Sequence, residues 1–569
     1  MENWDVVIIG AGHNGLVCAA YLLEAGYKVL LLEARSLPGG AATTEEALPK
    51  EAPGFYFDLC AIDHEAIHLS PVVRELELEK YGLEYLACDP ALFCPQPDGT
   101  HFLAWRSLEQ TYAEIARYSD RDARKYVEFI EYWQHLNGAL APIFNASPMA
   151  ILDIAKNYDR GNWQDLWQIF GSRPKILDFL HNLVTSPADL LNEWFDSETV
   201  KAPLACLAAQ IGAPPSQKGI AMGAMRMAMR HDPGLFRPKG GSGALIAALV
   251  KRVEEKGGKI LTGQRVERVL VNDDSRAIGV RVAGGKEYRV KIGVVSNIDA
   301  RRLLLDLCDR TDVNGVAPKL GHKLERRVVN SNSSVLKIDL ALSEAPEFIA
   351  RDRPEEALMG SILIADSTDR VEKAHACCTF GEIPTDSVLY AVCPTVLDPS
   401  LTPEGKHTLW IECFVPYQIA HHDGVGLNGS GWTAELKETV CDRVLAKLAT
   451  YAPNLPRSVI ACRSESPPEL EARLGLARGS PYHIDMTLDR MVFFRPLPEL
   501  ADYQTPIDGL FLTGAGTHPG GGISGMPGRN CARVLIQKQQ PFLEQLTDVQ
   551  NSLVSFLRST FGIENSPPT

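Results

Sequence analysis

The stretch Asp5–Arg35, "DVVIIGAGHNGLVCAAYLLEAGYKVLLLEAR", constrains the fold of this chain more than any other. Val6 to Ile9 form an uninterrupted apolar run, the pattern of a strand buried on both faces of a parallel sheet. Gly10, Gly12 and Gly15 follow as GxGxxG. The first glycine allows the tight turn, the second lets the backbone approach a pyrophosphate, and the third admits close helix–strand packing. A helix is predicted from about Asn14 to Ala25, with its N-terminal N–H groups aimed at the phosphate. Gly26 ends it, and Tyr27 to Leu32 form the next strand. Glu33, with Ala34 beside it, stands 18 residues after Gly15, where an acid accepts hydrogen bonds from an adenosine ribose. Strand, turn, helix, strand and acid all fall in register, so the chain predicts a dinucleotide-binding fold.

The residues after Glu33 favour FAD over NAD. "ARSLPGGAATTEE" places a second glycine turn, Gly39–Gly40, where a plain NAD domain would continue into another crossover helix. That turn resembles those of flavoproteins of the glutathione-reductase and amine-oxidase type. The dinucleotide fold then breaks off. Residues 109–236 read as a helical insertion, with "YAEIARYSDRDARKYVEFIEYWQHL" carrying apolar residues at three and four spacing. The fold resumes with "RPKGGSGAL", a helix from Gly243 to Lys256, and short strands broken at "NDDS" and "AGG". Val266, in the stretch Gln264–Glu267, is expected beside the adenine.

A second glycine-rich loop lies near the other end of the chain, in "LFLTGAGTHPGGGISGMPGRNCARVL". Gly514 and Gly516 match the fingerprint, but Pro519 replaces the third glycine and no acid follows at the required spacing. It cannot be an independent nucleotide unit. Its strand is expected to join the sheet begun at Val6, and its helix, entered through Pro527, to aim a positive N-terminus at the flavin ring. Gly514, Gly516, Thr517, Gly522 and Ile523 are the expected cofactor contacts, with Gly520 to Gly522 letting the backbone approach the ring. The fold class is therefore α/β: a discontinuous Rossmann-type FAD-binding domain (1–75, 237–301 and 501–545), a mixed-sheet substrate domain (76–108 and 302–500), the helical insertion, and a C-terminal tail (546–569).

Composition narrows the partners. A net charge of −14 disfavours nucleic acid, because phosphate neutralisation needs a basic surface. No run of about 18 apolar residues predicts a spanning helix, and "MENWDVVIIG" enters a strand at once, without the pattern of a signal peptide. Thirteen cysteines without CxxC spacing read as reduced thiols, and no metal site is expected.

The motifs together resemble a known family. The fingerprint, "PGGAATT", "FDLCAIDHEAIHLSP", "RPKGGSGAL", "GSPYHIDMTLDRMVFFRP" and "GLFLTGAGTHPGGGISGMPGRN" resemble FAD-dependent carotenoid oxidoreductases related to phytoene desaturase. Within them, "SPYHIDMTLDRMVFFRP" is most similar to desaturase-type beta-carotene ketolases. The resemblance implies oxidation of the ring C4 methylene of beta-carotene to a carbonyl, giving echinenone or canthaxanthin, with hydride passing to the flavin. Desaturation and isomerisation of a carotene are the alternatives on the same scaffold; a non-enzymatic binding protein of the GDP-dissociation-inhibitor type is a remote one. The chain departs from the wider superfamily at Ala41, where relatives often carry an arginine, so that contact must be absent or supplied elsewhere.

His518, in the flavin loop, and His483, in "SPYHIDM", are the candidate catalytic residues. His64 and His68 are read as packing or tunnel lining rather than metal ligands, since no third ligand accompanies them, and Asp485 as structural. The methionines of "GIAMGAMRMAMR" suit a tunnel for an apolar polyene. A substrate of that kind implies peripheral contact with the cytoplasmic side of a membrane.

Overall fold

The computed structural model describes residues 3–150, 173–350, 356–420 and 431–539. The expected C-terminal tail lies outside the described residues. Strand β1 (Trp4–Ile9) runs parallel to β2 (Val29–Leu32) on one side and to β3 (Glu287–Ser296) on the other, with Val6 opposite both Val29 and Gly293. Strand β4 (Leu510–Leu512) adds in parallel to the far side of β3, so the C-terminal glycine loop grows out of the same sheet as the N-terminal one. Lys259–Leu261 extends the sheet beyond β2. The first residues of β3 pair antiparallel with Ala277–Val282, which in turn pairs with Val266–Val271. One long strand thus belongs to a parallel layer at its end and to a meander at its start.

Alternate residues of these strands face two different cores, as the twofold period of a strand requires. Val6, Ile8, Leu31 and Val295 pack under helix α1 (His13–Glu24), helix Gly243–Glu255 and the C-terminal helix Met526–Gln539. Val7, Ile9, Leu30 and Val294 face the other way, against Leu303, Leu304, Leu320 and Leu324.

A second, seven-stranded sheet runs in the order Val459–Glu465, Ser333–Leu342, His407–Pro416, Leu389–Val392, Ser361–Ile364, Leu92–Pro95, His101–Ala104. All neighbours are antiparallel except Leu92–Pro95 with Ser361–Ile364, which makes the sheet mixed. Leu336, Ile338, Leu409 and Ile411 bury one face under helix Ala434–Tyr451. The other face, including Phe102, Leu363, Trp410 and Phe414, meets the helical insertion.

The longest helix of that insertion is α2 (Asp120–Phe144). Ser119 caps it, accepting a hydrogen bond from the Asp122 N–H at 3.1 Å, and Asp120 and Asp122 complement the positive end of the helix. Tyr126, Phe129, Ile130, Trp133, Leu136 and Leu140 recur at three and four spacing, and all are buried. Its C-terminal end rests on the C-terminal helix α3 (Met526–Gln539). Arg529 donates to the Asn145 carbonyl at 3.2 Å, and the Asn530 amide to the Phe144 carbonyl at 3.0 Å. The insertion is therefore joined to the second glycine loop.

Helices α1 and α3 cross at Gly528, where an added Cβ would overlap the Asn14 carbonyl oxygen and stand 3.0 Å from the Cys18 nitrogen. Replacing Gly528 with alanine is expected to force the two helices apart at a cost of about 1–3 kcal/mol. Chemical denaturation should show a lower midpoint for G528A, with less FAD retained on purification.

Candidate active site

The strand register brings together loops that are far apart in sequence. Ile9 lies opposite Leu32 and Ser296, and Ser296 opposite Leu512, so β1 to β4 end at one edge. The next residues continue the ladder: the Gly10 N–H donates to the Leu32 carbonyl (2.8 Å), Asn297 N–H to Ile9 (2.9 Å), and Thr513 N–H to Ser296 (2.8 Å). The two glycine loops, Glu33 and Asn297 therefore share the crevice beyond the carboxyl ends of parallel strands, the place where such sheets bind their ligands.

The Glu33 side chain accepts from the Ala11 N–H and the Arg35 N–H, both at 2.9 Å, and is 7% exposed. The Gly263 and Gln264 N–H groups reach the Arg35 and Glu33 carbonyls at 2.8 and 2.7 Å, which brings the start of the Val266 strand alongside Glu33 and Ala34. A Cβ on Gly15 would overlap the Gly10 carbonyl oxygen, and one on Gly12 would sit 2.9 Å from the Asn297 amide. Gly12 caps α1 with no side-chain hydrogen bond, which leaves the first N–H groups of the helix to a ligand. Gly39 closes on the loop, its N–H bonding the Ala11 carbonyl at 2.9 Å. The Arg35 guanidinium reaches the Gly40 carbonyl at 3.4 Å, so a cation stands at the second glycine turn although Ala41 offers none.

On the opposite side, Thr517 donates to the Gly514 carbonyl at 2.9 Å, and His483 packs on Gly514 and Gly516. Where the loops meet, the buried polar atoms Asn14 Oδ1, Thr513 Oγ1 and His483 Nδ1 have no hydrogen-bond partner. A glycine cradle, a free helix N-terminus, an acid at the ribose position and these orphaned atoms fit FAD.

Beyond the loops opens a cavity of about 1650 Å³, larger than the ~300–1,000 Å³ of an ordinary small-molecule pocket. Gly521, Gly522 and Tyr482 form its wall on the cofactor side. The glycines of this loop divide their work differently from the sequence expectation. A Cβ on Gly520 would stand 2.7 Å from Met486, and one on Gly521 2.6 Å from Tyr482, whereas one on Gly522 would meet nothing. Two of the three let "SPYHIDM" pack against the loop, and Gly522 is open to the cavity. Ile523, beside it, is 6% exposed with φ of 33°.

Three carboxylates on the cavity wall, Asp63, Glu65 and Glu75, are bound by guanidinium groups. Glu65 accepts from Arg230 at 2.8 Å and Arg226 at 3.1 Å, and Asp63 from Arg237 at 2.8 Å. Glu75 makes a bidentate pair with Arg529 at 2.7 and 2.8 Å. Burial alone would raise the Glu75 carboxyl, but the hydrogen bonds from Arg529 outweigh it and hold the group at about 2. All three are fixed anions rather than bases poised to take a proton.

The sequence profile of the flavin-containing amine oxidoreductases matches residues 15–533. The chain belongs to the flavin-containing amine oxidoreductase family. Its cofactor is FAD, and it is an oxidoreductase. Over 573 residues, 94% of each chain, it is 32% identical to pyridine nucleotide-disulfide oxidoreductase domain-containing protein 2 of Rattus norvegicus. It is 29% identical over 561 residues to a limonene dehydrogenase subunit of Castellaniella defragrans, covering 94% of this chain and 95% of that one. To phytoene desaturase (lycopene-forming) of Pantoea ananas it is 25% identical over 536 residues, covering 92% of this chain and 96% of that one. The desaturase resemblance of the motifs thus extends along the chain.

The two histidines singled out from the sequence lie at the glycine loop rather than on the cavity wall. His518 is fully buried, with Nε2 2.8 Å from the Ile143 carbonyl, and ties the end of α2 to the loop. His483, at φ of 61°, is held against Gly514 and Gly516. His64 is engaged at both ring nitrogens, by Tyr85 at 3.0 Å and Ser242 at 3.1 Å, while His68 lies on the cavity wall, edge-on to Tyr85 and tilted against Phe236. No group of three metal ligands occurs among the described residues. Asp485 accepts from the Ser331 N–H at 2.8 Å, a structural contact. Nothing in the sequence marks Asn297, because an asparagine after a strand carries no pattern of its own; only the register places it over both glycine loops.

Two outcomes test this site. E33A is expected to lose at least ~10-fold in FAD affinity, read by fluorescence titration of the apoprotein, since one charge-assisted hydrogen bond is worth about 1.5–3 kcal/mol. Burial lowers His13 and His518 to about 4 and His64 to about 3, with a neighbouring histidine adding to the effect at His13 and His64. The unfolded chain then binds more protons than the folded one below about 6.5. Stability should be full above that pH and fall as the pH drops toward 4, and H64Q should flatten the slope in denaturation midpoints measured across that range.

Proposed function

We propose that this flavoenzyme oxidises a long apolar isoprenoid at an allylic C–H, and that its reaction is C4 ketolation of beta-carotene to echinenone and canthaxanthin. The observation that carries the reading is the cavity beside Gly522. Met222, Met225, Met229, Met486, Phe144 and Phe179 line it, flexible thioethers and rings suited to an irregular apolar chain. Asp63, Glu65 and Glu75 on the wall are held by arginines rather than poised to take a proton, which suits a C–H whose hydride leaves a cation delocalised along a polyene. FAD, held by the two glycine loops, supplies the two-electron acceptor. The chain's own residues orient the substrate against Gly522 and Tyr482. Converting a methylene to a carbonyl takes two such hydride losses and one water, four electrons in all. The first cation adds water and loses a proton to give the alcohol. Loss of the second hydride and the hydroxyl proton gives the ketone.

The names of two relatives, a dehydrogenase and a desaturase, favour a second reading in which hydrogen is removed from the same class of substrate without insertion of oxygen. Expression in cells that make beta-carotene, followed by chromatography of the pigments, separates the two. Keto products support ketolation, and new double bonds without oxygen support desaturation. Unchanged pigment alongside FAD-loaded protein rules out both for this substrate. M225W, which narrows the cavity, is expected to lower turnover of the C40 polyene at least ~10-fold with FAD content unchanged.

The substrate's solubility extends the proposal to a peripheral membrane contact. Leu177, Leu180 and Val184 are exposed along one helix whose Phe179 and Leu183 line the cavity, and Phe494 is both exposed and on the cavity wall. Among the described residues no helix is long and apolar enough to cross a membrane. Wild type should co-sediment with liposomes, and the triple variant L177S/L180S/V184S should remain in the supernatant.

A further inference from the structure

On the cavity side of α2, Leu136, Leu140, Ala141 and Phe144 make an apolar wall, and one polar residue stands among them. Asn137 is 5% exposed and lines the cavity, and neither its Nδ2 nor its Oδ1 has a hydrogen-bond partner. It is the only side chain among the described residues with both an amide donor and an amide acceptor orphaned in this way. Buried polar groups are almost always satisfied, because the unmade bond is a large fraction of a protein's net stability. An apolar residue would fill the same place without that cost, so the amide points to a partner that arrives from the cavity.

The partner is not the cofactor. The glycine loop touches α2 through His518 at the Ile143 carbonyl. Asn137 precedes Ile143 by six residues, or about 9 Å of helix rise. Asn145 and Asn530, whose orphaned Oδ1 atoms also lie by the cavity, stand at the loop end, and the orphaned His68 Nε2 lies on the wall beside Phe236 and Tyr85; of the three asparagines, Asn137 is the one set among the apolar residues of α2. A carboxamide both donates and accepts, and it matches an oxygen function that is a hydroxyl in one state and a carbonyl in another.

We propose that Asn137 is a specificity-determining residue of the cavity, and that it selects a long apolar chain carrying one hydroxyl or carbonyl over the corresponding pure hydrocarbon. The proposal rests on the reading of this cavity as the substrate site. For a ketolase it means that the singly oxygenated product binds more tightly than the hydrocarbon, which biases the enzyme toward the second oxidation.

The test uses FAD-loaded enzyme under anaerobic conditions and a matched pair of polyenes, beta-carotene and its monoketone echinenone, in detergent micelles. Binding is read by quenching of tryptophan fluorescence. Wild type is expected to bind the monoketone about 10-fold or more tightly, the worth of one hydrogen bond to an otherwise unsatisfied buried amide. N137L should bind the two within about twofold, with a thermal midpoint at or above that of wild type, because an unsatisfied amide has been removed. Equal affinities in wild type overturn this inference and leave the proposed function standing. A preference retained in N137L, or a lowered midpoint with the preference unchanged, assigns Asn137 to a bound water and also overturns it. Failure of both polyenes to bind overturns the proposed function and this inference together.

Discussion

The architecture depends on backbone meeting backbone at two glycines some five hundred residues apart. Gly15 leaves α1 lying directly on the Gly10 carbonyl, and Gly528 lets α3 lie on α1 at the Asn14 carbonyl. At neither place is there room for a Cβ. Because α3 comes after the loop that begins at Gly514, this contact fixes that loop opposite the first one and makes a single cofactor crevice from two ends of the chain. The parallel pairing of β3 with both β1 and β4 sets the height of the two loops, and the helix contact sets their separation.

A buried charge network ties the remaining parts to that crevice. Asp63 and Glu65 come from the segment after the second glycine turn, Arg226 and Arg230 from the methionine-rich helical stretch, and Ser361 and Tyr390 from the second sheet. Arg230 is fully buried and joins its own stretch to the other two, through Glu65 on one side and Ser361 and Tyr390 on the other. Removing one member of such a set leaves a desolvated charge, at a cost of about 3–5 kcal/mol. The same pairing accounts for the chemistry of the wall: carboxylates held by guanidinium groups stay ionised and do not act as bases.

Much of this was legible in the sequence. The helix predicted over Asn14–Ala25 is observed at His13–Glu24, that predicted over Gly243–Lys256 at Gly243–Glu255, and "GLFLTG" does join the first sheet. Local signals suffice there, since a capping glycine, an apolar period and a strand length are set by neighbours in the chain. The histidines and glycines of the second loop were harder to place. His518 bonds a carbonyl on α2, and Gly520 and Gly521 accommodate Met486 and Tyr482, partners that no local pattern names.

By itself the sequence determined the dinucleotide fold, the FAD preference and the splitting of the cofactor domain, because each rests on short-range spacing of glycines, apolar runs and an acid. Only the tertiary structure decided which of its polar residues face the glycine loops and which face the cavity. Asn297 over the glycine loops, the paired carboxylates and the solitary Asn137 acquire their roles from strand register and helix packing across hundreds of residues. A side chain's chemistry is written in the sequence, but whether it is buried, paired or left without a partner depends on what the fold sets against it.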